Sequence, residues 1–193
     1  MERLVLDWDG TCTVDDSLVA AVHALGDPSV YRREFGSYGD ALAAEIATLR
    51  VSAAEAAEWA VENVRLRDGF HELVAQHEPL IVSSGLPQLI APVLAREGVE
   101  LEVRSNDAVP SPSGWQVVFR DEGLCPMCHD RCKRRSLPAD RPIVFVGDGW
   151  SDRCASLACD RVFARAGLAA YLADEGVPYE PYETFHDVLA ALA

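Results

Sequence analysis

The run Leu4-Val5-Leu6-Asp7-Trp8-Asp9-Gly10-Thr11 constrains this chain more than any other stretch. A short apolar run of this kind suits a buried strand. It ends in two aspartates one residue apart, and side chains alternate along a strand, so both carboxylates start on the same side. Gly10 then lets the backbone turn sharply and approach a ligand closely. Two carboxylates crowded at a strand's end repel each other unless a cation or a shared proton offsets the charge. A plain Asp-Gly turn is the competing reading, and the rest of the chain has to decide between them.

At 193 residues and 49% hydrophobic content, the chain can bury one solid core with a small second lobe. Its net charge of −14 argues against binding nucleic acid. Any anionic substrate therefore needs a metal or a few placed cations. No apolar run approaches the roughly 20 residues that span a bilayer, and no signal-peptide pattern opens the sequence, so a cytoplasmic location without membrane contact is expected. Of the 17 basic residues only Lys133 is a lysine. A compact ammonium differs in chemistry from a planar guanidinium, which singles this position out. Six cysteines in a reducing compartment point to metal binding or packing before disulfides.

Residues 14 to 66 read as helical throughout. Leu18, Val19, Val22 and Leu25 have helical spacing and stop at Gly26-Asp27-Pro28. A second helix starts near Asp40, and Ser52-Ala53-Ala54-Glu55 is a capping box for a third. Fifty residues exceed the usual crossover, so segment 14–66 is expected to be a small inserted helical cap on a core formed by 1–13 and 67–193. The core alternates strands and helices. Strands are expected at Pro79–Val82, Val99–Val103, Ile143–Val146 and Arg161–Phe163, with a β-excursion at 110–119. Helices are expected at Phe70–His77, after Pro87, at Arg131–Leu137, up to Ala158 and from Thr184. This alternation predicts an α/β fold with a doubly wound, mostly parallel, Rossmann-like sheet.

Ligands in such sheets sit beyond the carboxyl ends of the strands. Three strands end there in polar residues: Asp7 and Asp9, Ser83 and Ser84, Asp148 and Asp152. Lys133 lies just before the third. An acidic cluster of this kind suits a hard divalent cation, and magnesium is the usual partner of a few carboxylates and phosphate oxygens. The lysine and a hydroxyl are left for the other phosphate oxygens.

These motifs resemble those of the haloacid dehalogenase superfamily phosphatases, in its phosphoserine-phosphatase-like branch: Asp7 to Thr11, Ser83, Lys133 and Gly147 to Asp152, in that order. The resemblance covers nearly the whole chain. Within the superfamily, Glu62 to Phe70, Cys125 to Lys133, Phe163-Ala164-Arg165 and Tyr179 to Tyr182 are most similar to the methionine-salvage phosphatases that act on a diketo-methylthio-phosphopentane. The resemblance implies a magnesium-dependent hydrolase of a small phosphorylated metabolite. Asp7 would be the nucleophile that forms an aspartyl-phosphate and Asp9 the general acid and base. Asp7, Asp148 and the Asp9 carbonyl would hold magnesium with support from Asp152, while Ser83 and Lys133 would stabilise the transferring group. Phosphoserine hydrolysis and transfer to a second alcohol are the alternatives on the same scaffold.

Substrate contacts are sought at Thr11, Ser84 and Gly85 beside the motifs, and at Asp16, Arg32 and Arg33 in the cap. Cys125, Cys128, His129 and Cys132 offer a structural zinc set. Ligation by adjacent Cys128 and His129 is geometrically awkward, which leaves Cys12 as another fourth candidate and a thiol-rich packing loop as the competing reading. Cys154 and Cys159 read as small core residues. A zinc or redox module without phosphatase activity is the alternative of another class.

Overall fold

The structure, a computed structural model, describes residues 2–193; Met1, the first residue of the expected core segment, lies outside the described residues. Its centre is a six-stranded sheet in the order β3-β2-β1-β6-β7-β8, with every pairing parallel. The strands are β1 (Arg3–Leu6), β2 (Leu80–Val82), β3 (Val103–Arg104), β6 (Ile143–Gly147), β7 (Arg161–Ala164) and β8 (Glu180–Pro181). An antiparallel hairpin, β4 (Asp107–Val109) with β5 (Gln116–Val118), stands outside it.

Apart from Arg3 and Arg161 at their starts, the inner strands are apolar throughout because both faces are covered. Leu4, Leu6, Ile81, Val144, Val146 and Phe163 face one side and join the core of α4 (Phe70–His77), α5 (Pro87–Arg96) and α8 (Phe185–Leu192). Their neighbours Val5, Leu80, Val82, Ile143, Phe145, Val162 and Ala164 face the other and meet α6 (Arg153–Ser156) and α7 (Ala166–Asp174). A one-residue slip in any strand would exchange the two sets, so the pattern fixes the register. β1 lies between β2 and β6, where the chain winds off in both directions, and the ends of these three strands border the crevice.

The segment after β1 carries α1 (Ser17–Leu25), a tight turn at Pro28–Arg32, α2 (Tyr38–Ile46) and α3 (Ala53–Asn63). Thr13 and Leu66 pair across its base. Its apolar faces merge with the core: Leu18, Val22, Leu42, Ile46, Ala56 and Ala60 belong to the same cluster as Leu89, Ile90 and Val93 of α5. Arg96 at the end of α5 donates to the carbonyls of Val61 and Val64 (2.5 and 2.9 Å), which satisfies the last turn of α3. The β4–β5 hairpin grips the α2–α3 connection. Trp115 donates its backbone N–H to Leu49 O (3.0 Å) and its indole N–H to Val51 O (2.8 Å). Gly114, at φ +125°, passes so close to the Ala47 carbonyl that a Cβ would overlap it.

Several elements differ from expectation. The third strand is confined to Val103–Arg104, and Lys133–Ser136 is one 3₁₀ turn where a short helix over 131–137 was expected. Helix α7 and the edge strand β8 carry no strong local signal: α7 opens without a side-chain cap from Ala166 at φ +44°, and β8 contains Pro181. Among the described residues no helix is long and apolar enough to cross a membrane.

Trp115 is almost fully enclosed and bonds through both its nitrogens. Trp115→Ala is expected to lower stability by about 3–5 kcal/mol, read as a lower urea midpoint at unchanged m. A loss under about 1 kcal/mol would mean that the hairpin does not hold the helical segment.

Candidate active site

The site begins where β1 stops. Trp8–Cys12 forms one irregular turn closed by the Thr13 N–H on Trp8 O (3.0 Å), with Gly10 at φ +72°. The space above Gly10 belongs to Asp148: a Cβ there would lie 2.3 Å from its Oδ2. The glycine thus supplies both the left-handed turn and the room that brings the ends of β1 and β6 together.

Asp7, Asp148 and Asp152 converge, with an oxygen from each within 4.8 Å of the others. Asp7 is buried; its Oδ1 accepts the Trp8 N–H (2.6 Å) and the Lys133 ammonium, while Oδ2 has only the Thr11 hydroxyl at 3.5 Å. Lys133, only 4% exposed, also donates to Asp152 Oδ1 (2.7 Å). The other Asp152 oxygen accepts the backbone N–H groups of Asp148 and Gly149 (both 3.0 Å), which sets the turn after β6. The sole lysine is therefore a buried ammonium between two carboxylates. Burial alone would lower its pKa, but Asp152 and Asp7 outweigh burial and hold it above the usual lysine range. Burial, then the charge of Asp152, raises Asp7 well above the ordinary carboxylate range, and Lys133 only partly opposes this. Asp148 is raised by the same two causes. Three carboxylates against one ammonium leave an excess of negative charge on hard oxygen donors, which fits a divalent cation such as magnesium. Both Asp152 oxygens are already engaged, so its part is to orient Lys133 and the Asp148 turn.

Asp9 is held from the helical segment that follows β1. Ser17, at the start of α1, donates its N–H (2.8 Å) and its hydroxyl (2.5 Å) to Asp9 Oδ1. The other oxygen lies toward Gly85 and Ser83. Burial raises the Asp9 pKa, and the two Ser17 bonds pull it back. Ser83, at the end of β2, accepts the Gly85 N–H on its hydroxyl oxygen (2.8 Å), leaving its own proton free, and lines a pocket beside the crevice together with Ser84 and Lys133. The crevice encloses about 190 Å³ among Asp7, Asp9, Lys133, Asp148, Tyr38 and Trp150, with Asp16, Glu45, Ser84 and Gly85 also on its wall.

Other expected contacts lie elsewhere. Thr11 is fully buried and donates to Asp148 (3.1 Å), so it aligns carboxylates and does not line the crevice. Arg32 and Arg33 are exposed outside it; the turn at Pro28–Arg32 carries them away, and Arg33 stacks on Phe35 (5.0 Å). In the cysteine cluster the fourth thiol beside Cys125, Cys128 and Cys132 belongs to Cys154. Neither His129 nor Cys12 joins them. His129 follows Cys128 directly and is exposed, and Cys12 is buried in the turn after β1. Cys154 is accordingly half-buried beside the loop and is not a core residue.

One residue that sequence reasoning missed is Arg67. Buried beneath the β1 turn, it donates to the carbonyls of Gly10 (2.6 Å), Thr11 (2.8 Å), Thr13 (3.0 Å) and Val14 (3.3 Å), and to Glu183 O (3.2 Å). A single guanidinium fork thus satisfies most of the turn that carries Asp7 and Asp9. Among sixteen arginines nothing local distinguishes it. Ser17 and Asp130 were equally hidden; Asp130 accepts the N–H groups of Tyr38 and Gly39 (2.6 and 3.1 Å) and so ties the cysteine loop to α2.

Residues 4–156 match the family model of the haloacid dehalogenase-like hydrolases. The chain is 28% identical to the polyol phosphate phosphatase of Saccharomyces cerevisiae, covering 96% of this chain and 90% of the yeast protein. It is 27% identical to the 2-hydroxy-3-keto-5-methylthiopentenyl-1-phosphate phosphatase of Brevibacillus brevis, covering 99% and 96%. The fold matches a phosphoserine phosphohydrolase-like protein from Francisella tularensis over the full length of both chains, with a TM-score of 0.69 at 17% identity. The chain belongs to the haloacid dehalogenase-like hydrolase family.

Arg67→Lys keeps the charge but loses the fork. It is expected to reduce kcat by about 10–100-fold through displacement of the turn, with a smaller change in KM. Wild-type kcat in a folded Arg67→Lys protein would remove Arg67 from the positioning of Asp7 and Asp9.

Proposed function

We propose that this haloacid dehalogenase-like hydrolase, a phosphomonoesterase, cleaves a small polyol or hydroxy-ketone phosphate through an aspartyl-phosphate, with residues 14–66 as the cap over the crevice. The observation that carries the chemistry is the group of buried Asp7, Lys133 and Asp152 with half-buried Asp148 at the carboxyl ends of β1 and β6, with Asp9 alongside. Magnesium would be held by the carboxylates of Asp7 and Asp148 and by the Asp9 carbonyl. When bound it supplies the positive charge that keeps these carboxylates ionised and offsets that of the phosphoryl group.

The chain's own groups divide the remaining work. Asp7 Oδ2, the oxygen free of Lys133 and of the Trp8 N–H, attacks phosphorus. The departing alcohol oxygen takes a proton from Asp9; Asp9 then removes one from the water that hydrolyses the acyl phosphate. Lys133 and the free O–H of Ser83 stabilise the equatorial oxygens. The two bonds from Ser17 hold Asp9 in place through both proton transfers.

The wall of the crevice supports the substrate class. Enclosure, then the charge of Asp9, pushes Asp16 up to about 7 although much of the residue is open to solvent, and burial pushes Glu45 up to about 6. Lys133 is the one cation among the lining residues, and Asp7 and Asp152 already engage it. A second anionic group on the substrate, such as the carboxylate of phosphoserine, would face Asp9, Asp16 and Glu45 with no free cation on the wall to offset its charge. Hydroxyl groups would find partners there. The yeast and Brevibacillus relatives are named for a polyol phosphate and a hydroxy-keto methylthiopentenyl phosphate, which agrees with such a wall.

Asp7→Asn is expected to abolish turnover of p-nitrophenyl phosphate, and EDTA to do so reversibly on return of magnesium. In Asp9→Asn the good leaving group departs without an acid while the second step lacks its base. Rapid mixing should then give a burst of about one equivalent of nitrophenolate. Full activity in Asp7→Asn would refute the nucleophile assignment.

In a panel of esters, kcat/KM for short polyol and ketose phosphates is expected to exceed that for phosphoserine by about 100-fold or more. Equal use of phosphoserine would overturn the proposed substrate class.

A further inference from the structure

The cysteines separate into two groups in space. Cys12 is sealed in the β1 turn, and Cys159 donates to the Ala155 carbonyl (3.3 Å). Cys125, Cys128, Cys132 and Cys154 converge, each Sγ within 4.8 Å of the other three and the Cys125–Cys154 pair at 3.9 Å. Four thiolates around zinc, with bonds of about 2.3 Å, form a tetrahedron with edges of about 3.8 Å. The observed set needs only a small contraction to reach that shape. An iron–sulfur cluster would spread the thiolates over two or more irons, and this set is too compact for that.

The surroundings point the same way. Residues 119–132 contain no helix or strand, and Leu124 and Met127 are exposed, so the segment has little apolar core of its own. A loop of this length needs another anchor. Arg131, Arg134 and Arg153 flank the opening onto Cys128, Cys132 and Cys154, where they offset the double negative charge of a zinc tetrathiolate. Arg134 also donates to the Cys154 carbonyl (3.4 Å). Packing alone does not account for the set, because three of its four thiols are exposed or half-buried.

We propose that Cys125, Cys128, Cys132 and Cys154 bind one zinc ion in a closed structural site that ties the loop preceding Lys133 to the helix that follows Asp152. Cys132 is the neighbour of Lys133, and Cys154 lies two residues beyond Asp152. The ion therefore clamps together the two segments whose side chains form the buried Lys133–Asp152 pair. Through Asp130 it also steadies the bond to α2. The zinc itself stands apart from the phosphatase reading; only its effect through Lys133 rests on that reading.

The test uses the untagged full chain, produced with zinc supplied and dialysed against chelator-free buffer until loosely held metal is removed. Elemental analysis should find one zinc per chain, retained in Cys159→Ser and lost in Cys154→Ser and Cys128→Ser. Cobalt added to reduced, zinc-free protein should give thiolate-to-cobalt charge-transfer absorption. Cys128 is exposed, so Cys128→Ser, checked by circular dichroism, keeps the test decisive if Cys154→Ser does not fold. Absence of zinc together with absence of the cobalt band overturns the site, as does iron in place of zinc or zinc retained in a folded Cys128→Ser chain. Zinc-free Cys128→Ser reloaded with magnesium should lose about 10–100-fold in kcat with little change in KM. Wild-type kcat in that protein would overturn the clamp on Lys133, while the metal count alone decides the zinc.

Discussion

Everything at the carboxyl edge of this sheet depends on holding three carboxylates around one ammonium out of water. Two unit charges within 4.8 Å repel by on the order of 3 kcal/mol at an effective dielectric of about 20. A single lysine does not cancel three such charges. What keeps the group together is directional: the Trp8 N–H on Asp7, the Thr11 hydroxyl on Asp148, and the N–H groups of Asp148 and Gly149 on Asp152. Each donor comes from a turn that begins where a central strand ends. The parallel sheet aims several such turns at one point, and the negative charge left over there suits a divalent cation.

The support reaches outward from that point in three directions. Below, Arg67 occupies the carbonyls of the β1 turn, so the turn cannot relax without exposing buried acceptors. On another side, Ser17, the first residue of α1, bonds Asp9 and so couples it to the helical segment that follows β1. On the third side, the cysteine loop brings Lys133 in and returns through Asp130 to α2. The helical segment that follows β1 is continuous with the core around α5 and shares its apolar cluster. Its helices therefore sit firmly beside the crevice, to whose wall they contribute Tyr38 and Glu45.

Much of this was legible in the linear chain, for identifiable reasons. Strands buried on both faces write themselves as unbroken apolar runs, so β1, β2 and β6 could be read directly. The residues at their ends are where ligand chemistry collects in such a sheet, so Asp7, Asp9, Ser83, Asp148 and Asp152 could be read with them. The lone lysine stood out against sixteen arginines. Elements held by tertiary contact alone left no such trace. Helix α7 starts without a cap, and β8 is a two-residue edge containing proline.

The sequence by itself determined the α/β architecture and the acidic, lysine-anchored site, because these follow from local periodicity and from motifs at strand ends; the reaction class came with the family resemblance that those motifs carry. Only the tertiary structure decided which distant groups meet. It set Arg67 under the turn that carries Asp7 and Asp9, drew Cys154 and not His129 to the other three thiols, buried Thr11 against Asp148, and left Arg32 and Arg33 outside the crevice. The physical reason is that a buried arginine and an exposed one, or a core thiol and a clustered one, have the same letters and the same neighbours in sequence. What separates them is the chain segment that folds back against them, and that is a property of packing.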